Sequence, residues 1–119
     1  MYVDDDDDIR EIVQMSLSLE GAWRVITSSG GEQALADMRA EKPDLVVLDV
    51  MMPGLDGPAI LQRMRADPAL EHIPVIFMTA KANPQEVAHF RGMSAIGVIA
   101  KPFDPMALGQ QVKALWNSR

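Results

Sequence analysis

The sequence predicts an α/β domain of repeated βα units around a parallel sheet, and three observations predict it. Short apolar runs alternate with longer stretches of helical period, as strands joined by helices do. Capping signals stand at the starts of the helical stretches. Polar residues follow directly on four of five apolar runs. The 119 residues, 48% hydrophobic and 24% charged, suit one globular domain, which at this size buries roughly two thirds of its unfolded surface.

Taken in order, the expected strands are Met1 to Val3, Trp23 to Thr27, Leu45 to Leu48, Val75 to Met78 and Gly97 to Ala100. Between them, Ile9, Ile12, Val13 and Leu17 share one helical face, as do Leu108, Val112, Leu115 and Trp116 near the end. Ser29 with Glu32 has capping-box spacing, Asn83-Pro84 with Glu86 repeats it, and Asp104-Pro105 places a cap before a first-turn proline. Gly21 and Gly92 fit helix stops, and Pro43, Pro68 and Pro74 punctuate the remaining boundaries. Within the acidic run Asp4 to Asp8, Asp7 or Asp8 is expected to cap the helix beginning near Ile9, leaving Asp6 solvated.

Composition excludes several function classes. There is no cysteine, so neither a disulfide framework nor a cysteine-ligated metal is available, and a reducing cytoplasm is compatible. The N-terminus lacks the basic and apolar regions of a signal peptide, and no apolar run approaches the ~20 residues that span a bilayer. A soluble protein without membrane insertion is expected. The formal net charge of -6, with no cluster of lysine and arginine, argues against a direct grip on nucleic acid.

The polar residues at the strand ends are the informative feature. "MYV" runs into Asp4 and Asp5, "LVVL" into Asp49, "VIFM" into Thr79 and "GVIA" into Lys101. Parallel α/β sheets bind ligands at the carboxyl ends of their strands. Singly, Thr79 reads best as a strand-end cap and Lys101 as a solvated charge. Four such placements on one edge favour a site.

The motifs "VDDDDDIREIV", "VVLDVMMPGLDG", "PVIFMTA" and "GVIAKPFDP" occur in that order, with Asp49 lying 44 residues after Asp5, 30 before Thr79 and 52 before Lys101. On these motifs the chain resembles, over essentially its whole length, the receiver domain of two-component response regulators. The resemblance implies a flavodoxin-like (βα)5 doubly wound parallel sheet of five strands in the order 2-1-3-4-5, forming a single receiver domain over residues 1–119. It implies that Asp49 accepts a phosphoryl group and that Asp5, Asp49 and the carbonyl of Met51 hold Mg²⁺, with Asp4 acting through water. Thr79, the amide of Ala80 and Lys101 are then the phosphoryl contacts, and the Lys101-Pro102 bond is expected to be cis. The implied donor is a sensor histidine kinase or a histidine phosphotransfer protein, in the cytoplasm. Activity beyond Mg²⁺-dependent self-phosphorylation and self-dephosphorylation is not expected. With the last helix ending near Arg119, no DNA-binding or catalytic output segment is expected to follow.

The chemistry agrees with the resemblance. Converging carboxylates repel one another unless a cation neutralises them, and oxygen ligands without histidine or cysteine suit Mg²⁺. An EF-hand loop starting at Asp4 needs glycine sixth and glutamate twelfth, where Ile9 and Met15 stand. A strand-end aspartate can attack phosphorus and form an acyl phosphate, a reaction that depends on positioning and charge neutralisation.

Two alternatives compete with a phosphorylation-controlled switch. A phosphatase of the haloacid-dehalogenase type also uses aspartate, threonine or serine, lysine and Mg²⁺, but its D-x-D motif is broken here by Met51. A phosphorylation-independent adaptor would not require every site residue to be retained. Three positions bear on how such a switch behaves: by the resemblance, Met51 and Lys81, two residues after Asp49 and Thr79, are expected to flank the path of hydrolytic water. Val98 stands where many receivers carry an aromatic residue that follows the threonine. The nine methionines read mostly as core, except Met51, expected over the site. His72 and His89 read as surface or packing residues.

Overall fold

The computed structural model describes residues 1–19 and 21–119. In chain order the elements are β1 (Tyr2–Val3), α1 (Asp7–Ser18), β2 (Thr27–Ser28), α2 (Gly31–Glu41), β3 (Val46–Asp49), α3 (Gly57–Arg65), β4 (Val75–Thr79), α4 (Pro84–Gly92), β5 (Gly97–Ala100) and α5 (Leu108–Asn117). The five strands form one parallel sheet in the order β2-β1-β3-β4-β5, the flavodoxin-like order expected from the sequence. Strand order reverses between β1 and β3, which opens a crevice at their carboxyl ends.

Successive side chains of a strand point to opposite faces, so each central strand feeds two cores. On one face Val3, Leu48 and Phe77 pack with Leu35 and Met38 of α2, Ile60 and Met64 of α3, and Phe90 of α4. On the other, Tyr2, Val47, Ile76, Met78 and Ile99 pack with Val13 and Leu17 of α1 and Leu108 and Val112 of α5. Helices therefore cover both faces. β3 and β4 are buried along their whole length, as continuous apolar runs in a parallel sheet should be. Among the described residues, no helix is long and apolar enough to cross a membrane.

Several local expectations are corrected. The second strand is Thr27–Ser28, not Trp23 to Thr27. β1 offers only Tyr2 and Val3 for pairing, opposite Thr27 and Ser28, while the half-buried Trp23 and Val25 pack against the α1–α5 core. The capping box of Ser29 and Glu32 does not form: Gly30, at φ +99°, is the N-cap of α2 and offers no side-chain acceptor. Glu32 instead takes both terminal nitrogens of Arg63 on α3, at 3.0 Å each.

The α1 cap is Asp6, the residue expected to be solvated; its Oδ1 accepts from the amides of Asp8 at 2.9 Å and Ile9 at 3.1 Å. Asp7 and Asp8 lie inside the first turn, where negative charge complements the helix dipole. Asp104 caps a turn ahead of the last helix, accepting from the Met106 amide at 2.9 Å, and α5 itself begins at Leu108. Asn83 caps α4 as expected, accepting from the Glu86 amide at 2.9 Å. Ile12, placed by the sequence on the inward face of α1, is 43% exposed.

Candidate functional site

The fold brings the strand-end residues to one edge. Asp4 and Asp5 follow β1, Asp49 and Thr79 close β3 and β4, and Lys101 follows β5. One carboxylate oxygen from each of Asp4, Asp5 and Asp49 lies within 4.8 Å of the others. Asp5 is exposed, whereas Asp4 and Asp49 are buried. The Lys101 ammonium reaches across the edge, 2.9 Å from Asp49 Oδ1 and 3.4 Å from Asp4 Oδ2.

The acidic side chains are held from several directions. Asp4 Oδ1 accepts from the Asp6 amide at 3.0 Å, and Oδ2 accepts from the Tyr2 hydroxyl at 2.6 Å. Arg10 on α1 donates to the Asp4 backbone carbonyl at 2.6 Å and pairs with Asp7. The Met51 backbone acts to lower the Asp49 carboxyl value, against the larger effect of burial. The Met51 side chain is 78% exposed at the rim, while Met52 turns into the core. Gly57 closes the β3–α3 loop against Asp49, since a Cβ there would lie 2.6 Å from the Asp49 carbonyl oxygen.

Burial pushes the Asp49 carboxyl above its ordinary value, with Asp4 adding to the rise; the hydrogen bond and charge of Lys101 and the Met51 amide only partly oppose it. For Lys101 burial acts to lower the value, but Asp49 and Asp4 outweigh it and the ammonium is raised on balance. The two shifts have one origin: carboxylates held out of water share a single cation.

Thr79 and Ala80 lie at the same edge. The Thr79 hydroxyl accepts from the Lys81 amide at 3.1 Å, and its carbonyl accepts from the Lys101 amide at 2.8 Å, which ties the ends of β4 and β5 together. The Lys101-Pro102 bond is cis. His72 and His89 are exposed, away from the acidic cluster. Of the methionines, Met38, Met52, Met64 and Met78 are buried core residues.

The sequence singled out neither Tyr2 nor Arg10. Strand alternation carried a signal for the first, because residues two apart share a face and Tyr2 stands two before Asp4.

The acidic cluster fits Mg²⁺. Its side-chain donors are all oxygens, and three carboxylates stand against one ammonium, a charge balance and donor set suited to a hard divalent cation.

A family model of the response regulator receiver domain matches residues 1–113. The chain is 36% identical, over 97% of its length, to the transcriptional regulatory protein CseB of Streptomyces coelicolor, and covers 47% of that protein. It is likewise 36% identical over 97% of its length to the alkaline phosphatase synthesis transcriptional regulatory protein PhoP of Bacillus subtilis, again covering 47%. The chain thus spans about half the length of these regulators. Among solved structures it is similar to chemotaxis protein CheY4 of Vibrio cholerae, with TM-score 0.84 and 26% identity over 96% of this chain and 94% of that one. The N-terminal domain of a response regulator receiver protein from Methanoculleus marisnigri matches with TM-score 0.77 and 36% identity over 98% and 91%. Together with the acidic edge and its lysine, these matches place the chain in the receiver-domain family of two-component response regulators.

Proposed function

We propose that this chain, acting as one receiver unit, is a switch set by phosphorylation of Asp49. The donor is the phosphohistidine of a sensor kinase or of a histidine phosphotransfer protein, in the cytoplasm. The observation that carries this reading is the Lys101 ammonium 2.9 Å from a buried Asp49 carboxylate, beside two further acids. In the transfer, an Asp49 carboxylate oxygen supplies the electron pair for a new O–P bond while the P–N bond of the donor breaks. The bonding pair returns to the imidazole, which leaves neutral once its other ring nitrogen carries a proton.

Asp5, Asp49 and the Met51 carbonyl are the residues to hold Mg²⁺, with Asp4 beyond them; the bound cation supplies neutralisation of the charge gathering on the phosphoryl oxygens. Lys101 supplies the second positive charge. It is already in place, so little reorganisation is needed as the reaction proceeds. Thr79 Oγ1 and the Ala80 amide donate to the remaining phosphoryl oxygens, the Thr79 hydroxyl having its hydrogen free for that contact while it accepts from the Lys81 amide. The modified chain then presents a changed α4–β5–α5 face to a protein partner.

Intact-mass measurement tests this. Incubation with a small phosphodonor and Mg²⁺ should add one base-labile phosphoryl group, absent from Asp49→Ala and from chain kept in excess chelator. Equal modification of wild type and Asp49→Ala, or none on wild type even with an active kinase, would remove Asp49 as the acceptor.

A further inference from the structure

Tyr2 is the chain's one tyrosine and is fully buried in the core beneath α1 and α5. A phenol is rarely placed there without a partner. Here the ring stands in β1 and its hydroxyl extends along the strand to the carboxyl edge, meeting Asp4 Oδ2 at 2.6 Å. The same oxygen faces Lys101 Nζ at 3.4 Å, whereas that ammonium lies 2.9 Å from Asp49 Oδ1. Two donors thus address one oxygen of Asp4, and the phenol holds it more closely. We propose that Tyr2 is a positioning residue of this site: its hydroxyl fixes the Asp4 carboxylate and leaves the Lys101 ammonium on Asp49.

The inference rests on the phosphoacceptor reading and deepens it. Asp4 Oδ1 is held by the Asp6 amide at 3.0 Å, so with Tyr2 in place both oxygens are oriented before any cation arrives. A carboxylate has about four acceptor positions, so Asp4 keeps capacity for a cation-bound water. Without the hydroxyl, Lys101 becomes the remaining side-chain partner of Oδ2. Asp4 then draws the ammonium from Asp49 and forms a tighter ion pair that competes with the cation. Partners that orient a metal site from behind its ligands typically contribute ~10–100-fold to metal affinity.

Calorimetric titration of the chain with Mg²⁺ tests the role. Tyr2→Phe keeps the ring, and its Mg²⁺ affinity is expected to fall about tenfold; in an Asp4→Ala background the same change should produce no further loss. Wild-type affinity in Tyr2→Phe, or an equal loss in both backgrounds, would overturn the role. Should Tyr2→Phe fail to fold, the native sequence still gives an answer. Chain grown with 3-fluorotyrosine carries a single fluorine reporter beside the hydroxyl, and its resonance should move on Mg²⁺ addition with the calorimetric midpoint. A stationary resonance with intact Mg²⁺ binding sinks the Tyr2 role alone. Wild type that takes up neither Mg²⁺ nor a phosphoryl group sinks the phosphoacceptor reading beneath it.

Discussion

The side chain of Met51 carries a prediction about how long a phosphoryl group on Asp49 would last. It stands 78% exposed at the rim and offers no strong hydrogen bond to an approaching water. Met51→Asn supplies one. A neutral hydrogen bond is worth about 1 kcal/mol, so phospho-Asp49 is expected to hydrolyse roughly fivefold faster. Phosphoprotein decay followed by intact mass checks this, and an unchanged half-life would remove Met51 from the water path. The carboxyl of Asp49 carries a second prediction. Its value is raised above the ordinary 3.8, chiefly by burial, so its contribution to stability is fully present below 3.8 and is lost as pH rises through the raised value. At neutral pH the ionised group is therefore a liability that a cation relieves. Mg²⁺ at about 100 times its dissociation constant should add about 2.7 kcal/mol of stability. That gain should fade as pH falls through the Asp49 transition and should shrink in Asp49→Asn. Thermal unfolding across pH, with and without Mg²⁺, measures it; a gain that persists in acid would place the cation elsewhere.

At the scale of elements, the structure separates what spacing can specify from what it cannot. Asn83 at the start of α4 was legible because a cap, a proline and an acid fall at fixed offsets. The cap of α1 was not, because five consecutive aspartates offer five candidates, and the choice depends on where the chain leaves β1. Asp4 is committed to the buried edge and Asp5 to the acidic cluster, so Asp6 is the first free to turn back on the amides of Asp8 and Ile9. Asp6→Ala should destabilise the domain by about 1 kcal/mol, measured by urea unfolding; no loss would show that water satisfies those amides equally well. The short β2 was illegible for a related reason. Trp23 and Val25 have strand-like character, but ladder length depends on the partner, and β1 pairs only at Tyr2 and Val3. The β3–α3 loop carries a stronger prediction. A Cβ on Gly57 would meet Asp49 O at 2.6 Å, Val50 Cα at 3.0 Å and Phe77 Cε1 at 3.1 Å, and two of these are backbone atoms that cannot rotate aside. Gly57→Ala should therefore lose about 2 kcal/mol and displace Asp49. Denaturant midpoints together with phosphorylation rates check both effects, and a stable, fully reactive variant would show that the loop yields freely.

Across the whole molecule, the one-sided placement of polar strand ends was the most legible feature, because a parallel sheet carries every strand's carboxyl end to the same edge. What spacing could not give was the pairing at that edge: Lys101 stands 2.9 Å from Asp49 and 3.4 Å from Asp4, whose Oδ2 also accepts from the Tyr2 hydroxyl at 2.6 Å. The Lys101 amide is bonded to the Thr79 carbonyl at 2.8 Å, which ties the ends of β4 and β5 together, and Thr79 Oγ1 accepts from the Lys81 amide at the start of the loop into α4. Val98, half-buried on β5, packs against the core that holds Phe77 and Phe90, whose rings lie 4.7 Å apart. A β-branched valine has few rotamers and little reach, so it cannot swing between buried and exposed positions as a large ring can. A bound group shifts two conformations only by its differential stabilisation, typically ~1 to 3 kcal/mol. Under the proposed switch, that difference is expected to act through Thr79 and Lys101 on their own loops. Beryllofluoride with Mg²⁺ is therefore expected to move backbone amide resonances in Lys81 to Pro84 and Pro102 to Pro105, and Thr79→Ala should weaken those shifts. Val98→Ala should leave them nearly intact. Shifts confined to Asp4, Asp5 and Asp49 would disconnect the acidic edge from the α4–β5–α5 face, and a response abolished by Val98→Ala would return the coupling to the β5 side chain.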